Sequence, residues 1–316
     1  MTLPSSIPAS GTFLLLAALC APLQAAGFVS DFVSDFRRHA VEGKTSHALD
    51  IDNDSLLLNR DDGFYSSGLR YTRRATVAGP SSTTSFGWRI GQQLYTASDI
   101  NLPPARVRAP DHPYAAWLFG GVFKETHRSD GSHMRAGIDI GCLGPCAGGE
   151  WTQKNLHRLL NQPLPQGWSR QVKNEFGVIL HGEIAPIRWA LSPSLDITPS
   201  FHGRFGNIHA DAGAGLLVRA GRLAALPGAS TLHGFFRLDG RAVAHNATLQ
   251  GGYFSSGDPH TVKPKRAVGE VEAGVAWMEG SYGLLFSIVR RGNEIRALPD
   301  STGSQNFIRL QFSYTP

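Results

Sequence analysis

The sequence predicts an all-β chain, a transmembrane antiparallel β-barrel of about twelve strands with one short helix, on three observations. Apolar and polar residues alternate with period two in one segment after another. The polar face of many of these segments carries Arg or Asp, as in Arg70, Arg74, Arg89, Asp139 and Arg309, which suits a wet lumen with lipid on the other side. The chain of 316 residues also holds 36 Gly and 19 Pro, enough turn formers for many short strands. After the N-terminus no apolar run approaches the roughly 20 residues of a spanning helix, so a helical membrane protein is excluded. The net charge of +5 comes from scattered basic residues with no Lys/Arg-rich block, so nucleic acid is not an expected partner.

Residues 1–26 read as a secretory signal. Phe13 to Leu23 is an apolar stretch too short to span a bilayer, and it runs into the small-residue zone Gln24-Ala25-Ala26-Gly27, although no Lys or Arg precedes it. Residues 27–45 form a leader. Its repeat FVSDFVSDF sets Phe28, Phe32 and Phe36 four apart, on one side of a short helix expected to pack against the barrel. The barrel is assigned to 46–316, with strands beginning near residues 46, 65, 84, 114, 133, 173, 187, 206, 233, 266, 281 and 304. In Ser85 to Tyr95, Phe86, Trp88, Ile90 and Leu94 share a face; in Ala115 to Phe123, Ala115, Trp117, Phe119 and Phe123 do. These faces are expected outside, so Phe86, Trp88, Ile90, Trp117 and Phe119 should meet lipid. Cys20 leaves with the signal, and the remaining pair, Cys142 and Cys146, reads as a disulfide in an exported chain.

Three polar groupings can carry chemistry. Asp50 to Ser55 is rich in oxygen donors, which suit a hard cation such as calcium. Tyr65 to Gly68 enters the next strand, and with Leu69 and Tyr71 toward lipid, Ser66, Gly68, Arg70 and Thr72 should face inward. Gly148 to Gln162 has helix formers between a Gly pair and Pro163, and it sets Gln153 and His157 four apart on one face. A neutral His can take a proton from water. Asp and Asn at a strand end are also ordinary turn residues, so spacing alone leaves both readings open.

The segments IDNDS, YSSGLRYT, GQQLYTASDI, DHPYAAWLFGG, DIGCLGPCAGGEWTQKNLHRLL and GWSRQVKNEFG, in this order, resemble the outer-membrane lipid A 3'-O-deacylase family. The resemblance is strong from about Asp50 to Gly177 and weaker toward the C-terminus, where HNATLQGG and SIVRRGNE are similar to later strands. It implies a twelve-stranded, calcium-dependent barrel in the bacterial outer membrane, acting on lipid A of lipopolysaccharide among outer-membrane lipid; a monomer is expected. Carried over by position, Asn53 and Asp54 match the family's Asn-Asp pair and Ser66 its strand-two hydroxyl, usually Thr. Gln153 and His157 match its helical Gln and His. The implied roles are Asp54 as calcium ligand, His157 as general base, Asn53 and Ser66 as orienting groups, and Gln153 as the group positioning substrate or the histidine helix. The chain departs from the family at Leu102-Pro103-Pro104, where some members are basic, and at His112 and Ala116, where members with DRPYAGW have Arg and Gly. The competing readings are an outer-membrane phospholipase with Ser66 as nucleophile and a non-catalytic barrel or porin.

Overall fold

A computed structural model describes residues 34–54 and 63–316. The chain divides into two compact units, Met1–Gly43 and Lys44–Pro316. The first contributes a helix, α1 (34–42), which includes Phe36 of the FVSD repeat; the signal at 1–26 and Phe28 and Phe32 lie outside the described residues. The second unit is the barrel. Its strands are β1 (Lys44–Asn53), β2 (Phe64–Ala78), β3 (Ser82–Thr96), β4 (Ala115–Arg128), β5 (His133–Leu143), β6 (Glu175–Ala185) and β7 (Trp189–Ser192). They continue with β8 (Leu195–Gly206), β9 (His209–Arg222), β10 (Thr231–Asn246), β11 (Ala267–Glu279), β12 (Tyr282–Arg291) and β13 (Gln305–Tyr314).

Each strand pairs antiparallel with its neighbours, β1 with β13 and β6 with β8, so the sheet closes on itself. Both β6 and β7 pair with β8, on either side of Pro186, whose missing N–H interrupts the ladder. They fill one place in the wall, which gives the twelve staves the sequence predicts. Segments 97–114, 144–174, 247–266 and 292–304 are long connections at one end; 79–81, 129–132 and 280–281 are short turns at the other.

The lumen is filled. Near the long-loop end Tyr65, Tyr95, Trp117, Phe119, Leu143, Ile179, Ile208 and Phe307 form one buried apolar cluster. Below it, ion pairs cross the interior, Arg89 to Asp139 at 2.6 Å, Arg204 to Asp211 at 2.5 Å and Arg291 to Glu270 at 2.7 Å. The first two border a polar recess of about 500 Å³.

The facing of β4 corrects the sequence reading. Trp88 and Ile90 stand outside, 42% and 51% exposed, but Trp117 and Phe119 point into the lumen, and Leu118 and Val122 take the lipid face. Phe86 is buried, with the Lys124 ammonium 5.1 Å from its ring centroid. For the rings of β4 the reason is volume. Neighbouring strands present Gly87, Gly91 and Gly177 to the lumen, and a Cβ on these residues would collide with Phe123, Phe119 and Trp117 respectively. The glycines open the space that the inward rings fill.

Candidate functional site

At the long-loop end the pleat places alternate residues on opposite sides of the wall. On β1, Asp52 points into the lumen and Asn53 points out. On β2 the register slips between Tyr65 and Ser67, so a bulge holds Ser66 as an extra residue. Tyr65 stays inward, paired with Tyr95, while Ser67, paired with both Asn53 and Leu94, faces out. Ser66 goes with it: its hydroxyl lies 2.6 Å from that of Thr96, which shares the outer side with Leu94. The expectation that Ser66 faces the lumen with Gly68 and Arg70 is therefore overturned, because a bulge shifts the alternation by one residue.

The outer cluster is tightly knit. Asn53 Nδ2 donates to the Ser66 carbonyl at 3.2 Å, and the Asp54 N–H approaches the same oxygen at 3.5 Å. The Gly63 N–H donates to Asp54 Oδ2 at 3.0 Å, and Asp54 and Ser66 are 4% and 2% exposed.

The second half of the site is the helix α2 (Gly149–Leu159), which begins where the sequence predicts. A disulfide joins Cys142 to Cys146, with Cα atoms 6.0 Å apart, and Gly148 adopts the left-handed conformation just before the helix. The helix leans on the outer wall of β3 and β4. Gln92 Nε2 donates to the Ala147 carbonyl at 2.6 Å, and a Cβ at Gly149 would collide with Ala116 and Trp168. The small residue at 116 thus lets the helix approach the strand. Gln153 and His157 form its buried face, as their spacing predicts. Gln153 Oε1 accepts from the Trp168 indole at 2.8 Å, and Trp168 packs edge-on against Tyr114. His157 Nδ1 donates to the Pro163 carbonyl at 2.6 Å. Because a carbonyl only accepts, Nδ1 carries the proton and Nε2 is the basic nitrogen of the neutral ring.

Asn53 and Ser66 on the strands and Gln153 and His157 on the helix thus lie on the outer side of the wall, over β1 to β4, and Asp54 joins them through Gly63 and the Ser66 carbonyl. His112, in the loop after β3, is buried and stacks on Tyr95 at 5.5 Å and 7°. Burial holds its imidazole below the ordinary range, against the raising effect of its bond to the Pro113 carbonyl.

The sequence reading missed the residues that hold this arrangement from the lumen side. Tyr65 donates its hydroxyl to Asp52 Oδ2 at 3.0 Å and its N–H to Gln305 Oε1 at 3.1 Å. Arg309 Nε donates to Asp52 Oδ1 at 3.0 Å, and Gln305 Nε2 donates to Glu294 at 3.2 Å. Gln305 thereby receives an N–H of β2 that lies past the last β1–β2 pair, Asn53 with Ser67.

A family model described as outer membrane protein LpxR matches residues 13–315. The chain belongs to the LpxR family. Membership places this LpxR-family barrel in the outer membrane, among proteins that modify lipid A. No curated protein matches its sequence. Among solved structures, LpxR from Salmonella typhimurium has a TM-score of 0.72 at 22% identity, over 86% of this chain and 100% of that one, a likeness of fold. The β domain of the Bordetella autotransporter BrkA has a TM-score of 0.45 at 14% identity, over 86% and 98%.

Proposed function

We propose that this protein is a calcium-dependent lipid A 3'-O-deacylase, hydrolysing the ester of the 3'-acyloxyacyl group at the outer face of the barrel wall. The observation that carries the reading is the His157 ring: its Nδ1 is committed to the Pro163 carbonyl, so the basic lone pair is on Nε2, in a ring carried by the helix that packs against the outer wall of β3 and β4. Asn53 and Ser66 lie on that outer side, and Asp54 is bonded beside them to Gly63 and the Ser66 carbonyl. Water would give a proton to Nε2 as its oxygen adds to the ester carbonyl carbon. The tetrahedral adduct would then expel the 3'-oxygen, which takes the proton back from His157, leaving a free fatty acid and a 3'-hydroxyl. Asn53 and Ser66 would orient water or the developing oxyanion, and Gln153, held by Trp168, would fix the helix that carries the base.

The donors near Asp54 fit a hard cation: its carboxylate, the Asn53 amide oxygen and the Ser66 oxygens are all oxygen ligands. A zinc site would draw on thiolate or imidazole ligands, whereas these donors are all oxygens. Calcium bound by Asp54 would polarise the ester carbonyl and stabilise negative charge on its oxygen. The filled lumen argues against a porin. The test is mass spectrometry of lipid A from cells with and without the protein. Loss of the 3'-acyloxyacyl mass is expected, and unchanged lipid A in cells holding folded barrel would overturn the reading.

A further inference from the structure

At the top of β6, on the long-loop end, Glu175 is buried, yet no Lys or Arg pairs with it among the described contacts. Its oxygens accept instead from the N–H groups of Tyr253 (2.9 Å), Phe254 (3.0 Å) and Ser255 (3.0 Å), from the Ser255 hydroxyl (3.1 Å) and from Asn207 Nδ2 (2.8 Å). Gly251 has φ +80°, and a Cβ at Gly252 would strike the carboxylate, so this turn needs its glycines. Lys173 and Arg170 brace the loop further on, through the carbonyls of Ser256 and Pro259 at 2.8 Å each.

What the clamp presents is apolar. Phe254 is 85% exposed, above every other aromatic among the described residues, and Tyr253, with its ring 4.2 Å from that of His245, is 62% exposed. A ring left in water is unfavourable, and ordering a loop to hold it there costs further entropy. The neighbouring wall carries exposed rings as well. Phe176, the residue after Glu175, and Phe205 on β8 are 67% and 76% exposed at the same end of the lipid-facing wall. Asn207 ties this region together, donating to the Phe176 carbonyl at 2.8 Å as well as to Glu175. Outer-membrane barrels carry aromatic girdles at the lipid boundary.

We propose that the 251–256 turn is a loop-borne segment of that girdle, which places Phe254 among the acyl chains of the outer-leaflet lipid. This rests on outer-membrane location alone and is independent of the catalytic reading. The experiment is spin labelling of one free cysteine, Phe254→Cys, in a chain that also carries Cys20→Ser and in which Cys142 and Cys146 are paired with each other. The protein is reconstituted in phosphatidylcholine vesicles, and collision with oxygen and with a water-soluble nickel chelate is compared with labels at Leu118→Cys on the lipid face and Arg108→Cys in an exposed loop. The label at 254 should follow the oxygen-rich pattern of 118. A pattern like that of 108, or dipolar broadening from a second copy, overturns the proposal. Adding Glu175→Gln should move the label toward the pattern of 108; an unchanged pattern would show that Glu175 does not place the ring.

Discussion

Tyr65 stands next to Ser66 in sequence and on the opposite side of the wall, so Tyr65→Phe perturbs the candidate site from behind without touching lipid. The change deletes one hydroxyl that donates to Asp52 at 3.0 Å. A hydrogen bond to a charged partner contributes about 1.5–3 kcal/mol, and Asp52 keeps its Arg309 partner, so the lower end of about 1.5 kcal/mol applies. The ring, packed 5.4 Å from Tyr95 and 5.1 Å from Phe307, stays in place, so the barrel should remain folded and heat-modifiable. The lost energy falls on the bulge that sets Ser66 and, through the shared Ser66 carbonyl, Asn53 and Asp54. At about 1.4 kcal/mol per factor of ten, kcat for lipid A deacylation should drop about tenfold. KM should stay within about twofold, because the altered group lies in the lumen. The assay is steady-state deacylation by the detergent-purified protein, with product quantified by mass spectrometry. Asp52→Asn should lower kcat by a similar factor, and the double variant by less than the product of the two. A Tyr65→Phe enzyme with wild-type kcat, or one whose whole loss lies in KM, would refute the reasoning.

His157→Ala should lose at least about a hundredfold in rate, and Ser66→Ala less, with no acyl adduct on the intact protein during turnover; an adduct on Ser66 would replace water attack by a serine nucleophile. Activity should vanish with a calcium chelator, return with Ca²⁺ but not Zn²⁺, and fall with Asp54→Ala; full turnover in excess chelator would remove calcium from the scheme. Leu118→Arg, on the lipid face, should destabilise the barrel by about 2–4 kcal/mol if it sits near the bilayer midplane, measured by reversible unfolding; a neutral effect would contradict the assigned facing. For His112, with its folded pKa depressed by burial, the unfolded chain binds a proton that the folded chain resists. Stability should therefore decline as pH falls through the ordinary imidazole range, and His112→Gln should flatten that part of the profile.

The strands were legible because alternation, glycine turns and inward charge all report the same periodicity. Which side faced lipid was legible only where one face was clearly polar. In β3 the Arg89 face settled it; in β4 the rings of Trp117 and Phe119 read as a lipid face because the room they need is made by glycines on other strands. The candidate site divided in the same way. Gln153 and His157 were legible from helical spacing, a local signal, whereas the side on which Ser66 lies depends on a bulge whose stabilising contacts come from Asp52 and Gln305. The Arg309 that holds Asp52 is 257 residues away from it in sequence, a distance no local pattern spans. The alternation nevertheless carries a consequence of its own. Asp52 points in beside Asn53 pointing out, and Tyr65 points in beside Ser66 pointing out, so these two candidate groups on β1 and β2 each sit one residue from a lumen anchor. A wall one residue thick can hold chemistry on its lipid face by fastening the adjacent residues to its core. That requires a lumen packed with rings and ion pairs, and a water-filled pore of the same strand number could not supply it.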